Sequence, residues 1–120
     1  MNKIIRNFAL GAGALLTAAV AVPALATEFL GAQFDCATSD RDLGRVMNEH
    51  QVPQSAGTIV MLRHLIWMLE AAIDMLDNNC QYEPGYAEQR AAYVNSLNQT
   101  KNTCRQVASS SSECYPQRYN

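Results

Sequence analysis

The chain has 120 residues, a formal net charge of −2 and four cysteines. The chain has nine basic and eleven acidic residues, and its lysines and arginines form no cluster. This composition argues against nucleic acid or anionic lipid as a partner. A chain of this length is expected to form one small domain with a modest core.

The first 26 residues have the pattern of an export signal. Lys3 and Arg6 precede an apolar, alanine-rich stretch, and Ala24 and Ala26 occupy the small positions that a signal peptidase requires. The apolar stretch, about 15 residues, is shorter than a membrane-spanning helix. We predict a signal peptide at residues 1–26 and a single helical domain at residues 27–120. The protein is then expected in the bacterial periplasm or the medium, with no membrane span after cleavage and a net charge of 7 − 11 = −4.

Three helices are predicted in the remainder. Residues 27–37 contain scattered apolar residues and no period-two strand pattern, so no element is assigned there. Residues 40–50 form the first predicted helix, with cap oxygens offered by Thr38-Ser39-Asp40 and a stop before Pro53.

The second predicted helix, residues 56–78, is the most apolar segment after residue 26, and Ser55 is the expected cap. Rows of Ile, Leu and Met recur every seven residues and cover most of its circumference. These rows are Ile59, Ile66 and Ile73; Leu62, Leu69 and Leu76; and Met61, Met68 and Met75. Such a helix is expected at the centre of a bundle or in contact with a partner.

The third predicted helix, residues 85–108, follows the turn at Glu83-Pro84-Gly85. Its apolar stripe is narrow, and its amide and hydroxyl face is expected to meet water. Arg90 and Lys101 border the stripe, where they either extend along apolar surface or reach acids on the second helix. The resulting fold class is all-α, a small three-helix bundle.

Four cysteines in a short exported chain predict two disulfides. Cys80 lies at the turn between the second and third helices, and Cys104 lies about 30 Å away along the third. Because a disulfide needs α-carbons within about 7 Å, these two are not expected to pair. An antiparallel first helix returns Cys36 to the turn, which predicts Cys36–Cys80 and Cys104–Cys114.

The sequence contains no catalytic motif and no cofactor-binding motif. We therefore predict a non-enzymatic protein that has no cofactor. No cysteine pair has the spacing of a zinc site. A weaker alternative is a copper(I) site at Met61, His64 and Met68, which share a helical face and offer soft ligands. Methionines in a helical core explain the same spacing.

The apolar excess of the second helix is expected to meet the Phe29–Phe34 lead-in, a second copy of the chain, a different protein or an apolar ligand. We predict an interaction face on it, with a protein partner or a homodimer as the favoured occupant. Its predicted members are Ile59, Leu62, Ile66, Trp67, Leu69 and Ile73. An envelope inhibitor, an immunity-type protein and an accessory subunit share this build, although a fold does not determine a function. The alternative is a periplasmic carrier of copper or of a small apolar ligand, whose predicted pocket is lined by Met47, Met61, His64 and Trp67.

Overall fold

The computed structural model describes residues 27–119, and the predicted signal peptide at residues 1–26 lies outside them. Five elements form the fold: β1 (Thr27–Phe29), β2 (Ala32–Phe34), α1 (Ser39–Glu49), α2 (Thr58–Asn79) and α3 (Tyr86–Val107). Short 3-10 turns lie at Cys36–Thr38, Gln54–Ala56 and Ser111–Cys114. The prediction of a mostly helical fold with three helices is confirmed.

The two short strands form a hairpin that the sequence did not indicate. Thr27 pairs with Phe34 and Phe29 with Ala32 in an antiparallel register, with both phenylalanines buried. The turn residues Leu30 and Gly31 both have positive φ, 53° and 86°, as a two-residue hairpin of the primed type requires. Three residues are too few to show a period-two pattern, and leucine seldom adopts this conformation, so the usual turn signal was missing.

Thr38 occupies the N-cap position of α1, but neither Thr38 nor Ser55 makes the predicted side-chain cap bond. The Thr38 hydroxyl donates to Asp42 Oδ2 at 2.6 Å instead of capping α1, and this bond lowers the pKa of the Asp42 carboxyl. Ser55 lies in a separate 3-10 turn, and Gly57, with φ of 100°, precedes α2 in its place. The positive φ of Gly57 reorients the chain between the turn and the helix, which explains why α2 begins two residues later than predicted.

The apolar circumference of α2 serves two core clusters. The first joins the hairpin and α1 to the C-terminal half of α2; its buried members are Phe29, Phe34, Leu43, Val46, Ala72, Met75, Leu76 and Cys80. The second joins α2 to α3; its buried members are Ile66, Leu69, Ile73, Leu97 and Cys104. Much of the apolar excess seen in the sequence is therefore buried within the chain itself.

Both predicted disulfides are present, Cys36–Cys80 and Cys104–Cys114, and the described residues contain no free cysteine. The first connects the end of the hairpin to the end of α2, and the second connects α3 to the segment that follows it. Two disulfides are consistent with an oxidising compartment. Among residues 27–119, no helix combines the length and apolarity that crossing a membrane requires.

Two ion pairs connect the antiparallel helices α2 and α3. Arg90 lies 2.8 Å from Asp77 near the turn, and Lys101, about three turns further along α3, lies 3.6 Å from Glu70. Of the two alternatives for these basic side chains, the structure shows the contact with acids on α2. Both pairs are partly exposed, so each contributes little to stability.

Candidate functional site

The ends of α1 rest on different helices, which opens a groove along the bundle. At its start, the Ser39 hydroxyl donates to Gln89 Oε1 of α3 at 2.8 Å. Just past its end, the His50 carbonyl oxygen lies 2.7 Å from His64 Nε2 of α2. Because α1 diverges from α3 towards its C-terminal end, a gap remains between the C-terminal half of α1 and α3.

This gap, which we call the neutral groove, has a volume of about 370 Å³. Apolar and aromatic side chains contribute to its lining: Met47, Leu65, Met68, Leu69 and Tyr93. Gly44 and polar side chains complete it: Asn48, Gln51, Ser96, Gln99 and Thr100. Among the described residues, no charged side chain lines the groove.

Most polar side chains of the neutral groove have no hydrogen-bond partner among the described residues. Thr100 is the exception, because its hydroxyl donates to the Ser96 carbonyl oxygen at 2.7 Å. The side chains of Asn48, Gln51, Ser96 and Gln99 make no hydrogen bond with any residue between 27 and 119. Burial raises the pKa of the Tyr93 hydroxyl, so this residue also stays uncharged at neutral pH. The groove therefore presents donors and acceptors without a formal charge.

The residues of the predicted interaction face are mostly internal. Ile66, Leu69 and Ile73 are buried in the α2–α3 core. Ile59, Leu62 and Trp67 are half-buried. The large apolar side chains that are exposed in the described chain lie outside α2: Tyr82, Val107, Tyr115 and Tyr119. The accessible apolar surface of α2 is thus smaller than its sequence indicates.

His64 has no free ring nitrogen in the described structure. Its Nδ1 accepts the Tyr119 backbone N–H at 3.0 Å, so the proton belongs on Nε2, which donates to the His50 carbonyl oxygen. Met68 is buried, and Met61 is half-buried. This arrangement leaves no imidazole nitrogen to bind copper beside the two methionines. Between residues 27 and 119, no three acidic, histidine or cysteine side chains gather as a metal site.

The predicted carrier pocket is divided between two faces of α2. Met47 lines the neutral groove, whereas His64 and Trp67 lie beneath the C-terminal tail, residues 115–119. Arg63 Nε donates to the Tyr115 carbonyl oxygen at 3.0 Å, and the Gln117 N–H donates to the Arg63 carbonyl oxygen at 3.2 Å. The predicted carrier residues therefore do not line a single pocket.

Sequence reasoning missed both the groove and the tail contact. The available signal for the groove was the run of ten uncharged residues 91–100 on α3, which was interpreted only as a face toward water. The tail carries no periodic pattern, and its contacts with α2 use mainly backbone groups. No protein-family model, curated protein or solved structure matches the chain.

A separate polar cluster at the α2–α3 end gives a prediction on acid stability. Arg90 donates from Nε and Nη2 to the two Asp77 oxygens, and the Tyr86 hydroxyl also donates to Asp77. These bonds, that from Arg90 first, hold the pKa of the Asp77 carboxyl below its usual value. A carboxyl with a depressed folded-state pKa stabilises the fold above its unfolded pKa, about 3.9, and loses this effect as pH falls through the folded value.

We therefore expect Asp77→Asn to destabilise the fold at pH 7 by under about 1 kcal/mol, since the carboxyl is partly exposed. The difference from wild type should shrink as pH falls below about 4. Urea unfolding at pH 7 and across the range from 4 to 2 measures this change. Asp74→Asn removes the same charge one turn earlier on the exposed face and serves as the matched control. A constant gap between Asp77→Asn and wild type at all pH values would contradict the prediction.

Proposed function

We propose that this chain is an exported, non-enzymatic protein that acts by binding another protein, and that the neutral groove receives an uncharged segment of that partner. The observation that carries the proposal is the composition of the groove. Its apolar lining contains Met47, Met68 and Tyr93, its polar side chains are amides and hydroxyls, and no charge of the described chain lies in it.

This composition resembles the centre of a protein–protein interface. Interface cores are depleted of charged residues and enriched in aromatic residues and methionine. Methionine also adapts its shape to a partner side chain because it is flexible and polarizable. Asn48, Gln51 and Gln99 each offer a donor and an acceptor, which is what a peptide backbone requires on each residue. A charged segment would lose its hydration here without finding an opposite charge.

The signs of export are compatible with a role in protein binding. The signal pattern of residues 1–26 and the two disulfides favour the bacterial periplasm or the medium. An envelope inhibitor, an immunity-type protein or an accessory subunit would work there through surface contacts alone. The carrier hypothesis receives less support, because the groove is open and its polar side chains are amides and hydroxyls.

The groove can be tested by adding one charge to it. Ser96→Glu places a carboxylate in the neutral groove, and Asn98→Glu places the same group on an exposed position of α3 outside it. The oxidised mature chain and both variants are used as baits on the envelope extract of the source cell. We expect a protein that wild type and Asn98→Glu retain, and that Ser96→Glu binds at least about tenfold more weakly, because the added charge must be desolvated.

Equal retention by all three baits, or retention of no protein, would contradict the proposal. If the retained protein is the chain itself, the partner is a second copy. Sedimentation of the purified chain at two concentrations then gives the same answer independently, because a homodimer dissociates on dilution and Ser96→Glu should shift it toward monomer.

A further inference from the structure

The basic side chains of the described chain fall into two groups. Seven of the nine Lys and Arg residues follow residue 26. Four of them lie within 4 Å of a carboxylate: Arg41, Arg45, Arg90 and Lys101. The other three, Arg63, Arg105 and Arg118, have no carboxylate partner between residues 27 and 119. In an acidic chain, two arginines without carboxylate partners that line one cavity indicate a site for an anion.

Two of these three arginines line the same cavity. It has a volume of about 270 Å³, lies between α2 and the C-terminal tail, and is bounded by Val60, Arg63, Gln117, Arg118 and Tyr119. Arg105 does not line it and donates instead to the Asn102 side chain. We call this cavity the arginine cleft.

Both guanidinium groups are oriented by contacts that leave their charge intact. Arg63 Nε donates to the Tyr115 carbonyl oxygen, so its four terminal N–H donors stay free within the described chain. The Arg118 guanidinium carbon lies 5.2 Å from the centroid of the Trp67 ring, a cation–π contact. The hydrogen bond from the Gln117 N–H to the Arg63 carbonyl oxygen holds the tail against α2 beside the two guanidinium groups. The two charges are thus positioned before any ligand arrives.

The start of α2 adds to the positive potential of the cleft. Val60 belongs to the first turn of the helix, which contains no acidic residue and no side-chain cap. The unpaired N–H groups of a first turn carry the positive end of the helix dipole. The contribution is secondary, because two full charges already lie on the cleft.

We infer that the arginine cleft binds a compact oxyanion, a carboxylate or phosphate group, between Arg63 and Arg118. Guanidinium groups match the geometry of both anions and form charge-assisted hydrogen bonds with them. The site is distinct from the neutral groove, because Arg63 and Met68 point about 140° apart around α2. One face of the helix therefore takes an anionic group while the other takes an uncharged segment.

The test uses Trp67, the one tryptophan of the chain, as the reporter. Inorganic phosphate and acetate are titrated separately into the oxidised mature protein at constant ionic strength, with chloride as the balancing ion, and Trp67 emission is followed. We expect a saturable change, because an anion on Arg118 alters the cation–π contact with the ring. A stronger response to phosphate or to acetate identifies which oxyanion the cleft prefers.

Three single variants separate a site from general charge. Arg63→Gln and Arg118→Gln should each weaken binding at least about tenfold, as expected for the loss of a charge-assisted bond. Arg105→Gln removes the same charge outside the cleft and should leave binding unchanged. Arg118 is on the exposed tail, so its variant is expected to fold even if Arg63→Gln does not. The inference fails if neither anion gives a saturable change, or if Arg105→Gln weakens binding as much as the cleft variants do.

Discussion

Replacing Cys36 and Cys80 together by alanine is expected to lower the free energy of unfolding by roughly 4 kcal/mol. The two cysteines are 44 residues apart in sequence. A disulfide restricts the unfolded chain, and the restriction grows with the length of the loop that it closes. The same bond also ties the hairpin, with buried Phe29 and Phe34, to the end of α2.

The second disulfide is the matched control. Cys104 and Cys114 are only 10 residues apart, so the corresponding double alanine variant is expected to lose roughly 3 kcal/mol. Alanine is preferred to serine because Cys80 and Cys104 are buried among apolar groups. Urea unfolding of the two variants beside wild type measures both losses. An equal or larger loss for the short-loop variant would show that chain restriction is not the dominant contribution.

The helices and the disulfides were predictable because each rests on a strong local rule. The seven-residue rows of Ile, Leu and Met determine α2, and Pro53 and the turn at Pro84 limit its neighbours. Once α2 and α3 are antiparallel, the distance along a helix excludes Cys80–Cys104, and the short serine segment before Cys114 allows the return to Cys104. The pairing therefore followed from helix geometry without any knowledge of the core.

The hairpin and the sites depend on features that sequence spacing does not encode. The hairpin turn places Leu30 at positive φ, which buried neighbours such as Phe29 and Phe34 stabilise. The direction of α1 depends on tertiary contacts, because its buried Leu43 and Val46 pack in the core and hydrogen bonds join its two ends to Gln89 and to His64. A small change in that direction would close the neutral groove, although the helix pattern would stay the same.

The apolar surplus of α2 has a different explanation from the one that its sequence favours. An interaction face on the helix was predicted because α1 and α3 alone did not cover its circumference. In the structure α3 buries Ile66, Leu69 and Ile73. The hairpin covers the C-terminal half of α2, and the C-terminal tail lies over His64 and Trp67. The neutral groove and the arginine cleft accordingly lie where other elements meet the helix, and of the predicted interaction face Leu69 lines the groove.

The tail's position on α2 should depend on His64. The imidazole is 4% exposed, stacks on Trp67 with 5.9 Å between ring centroids, and bonds through both nitrogens. His64→Phe keeps an aromatic ring at this position but removes the acceptor for the Tyr119 N–H and the donor to the His50 carbonyl oxygen. Losing bonds at a buried site is expected to cost about 1–3 kcal/mol in unfolding free energy.

A double-mutant cycle identifies how much of that loss passes through the tail. His64→Phe is compared in the full mature chain and in a chain truncated after Pro116, which keeps the Cys104–Cys114 disulfide. We expect a smaller cost in the truncated chain, where no Tyr119 N–H exists to lose its acceptor. In the full chain, the Tyr119 amide should exchange with solvent faster in the variant, and Trp67 emission should shift as the tail leaves the ring. Identical costs in the two backgrounds, with unchanged exchange at Tyr119, would show that His64 supports only the end of α1.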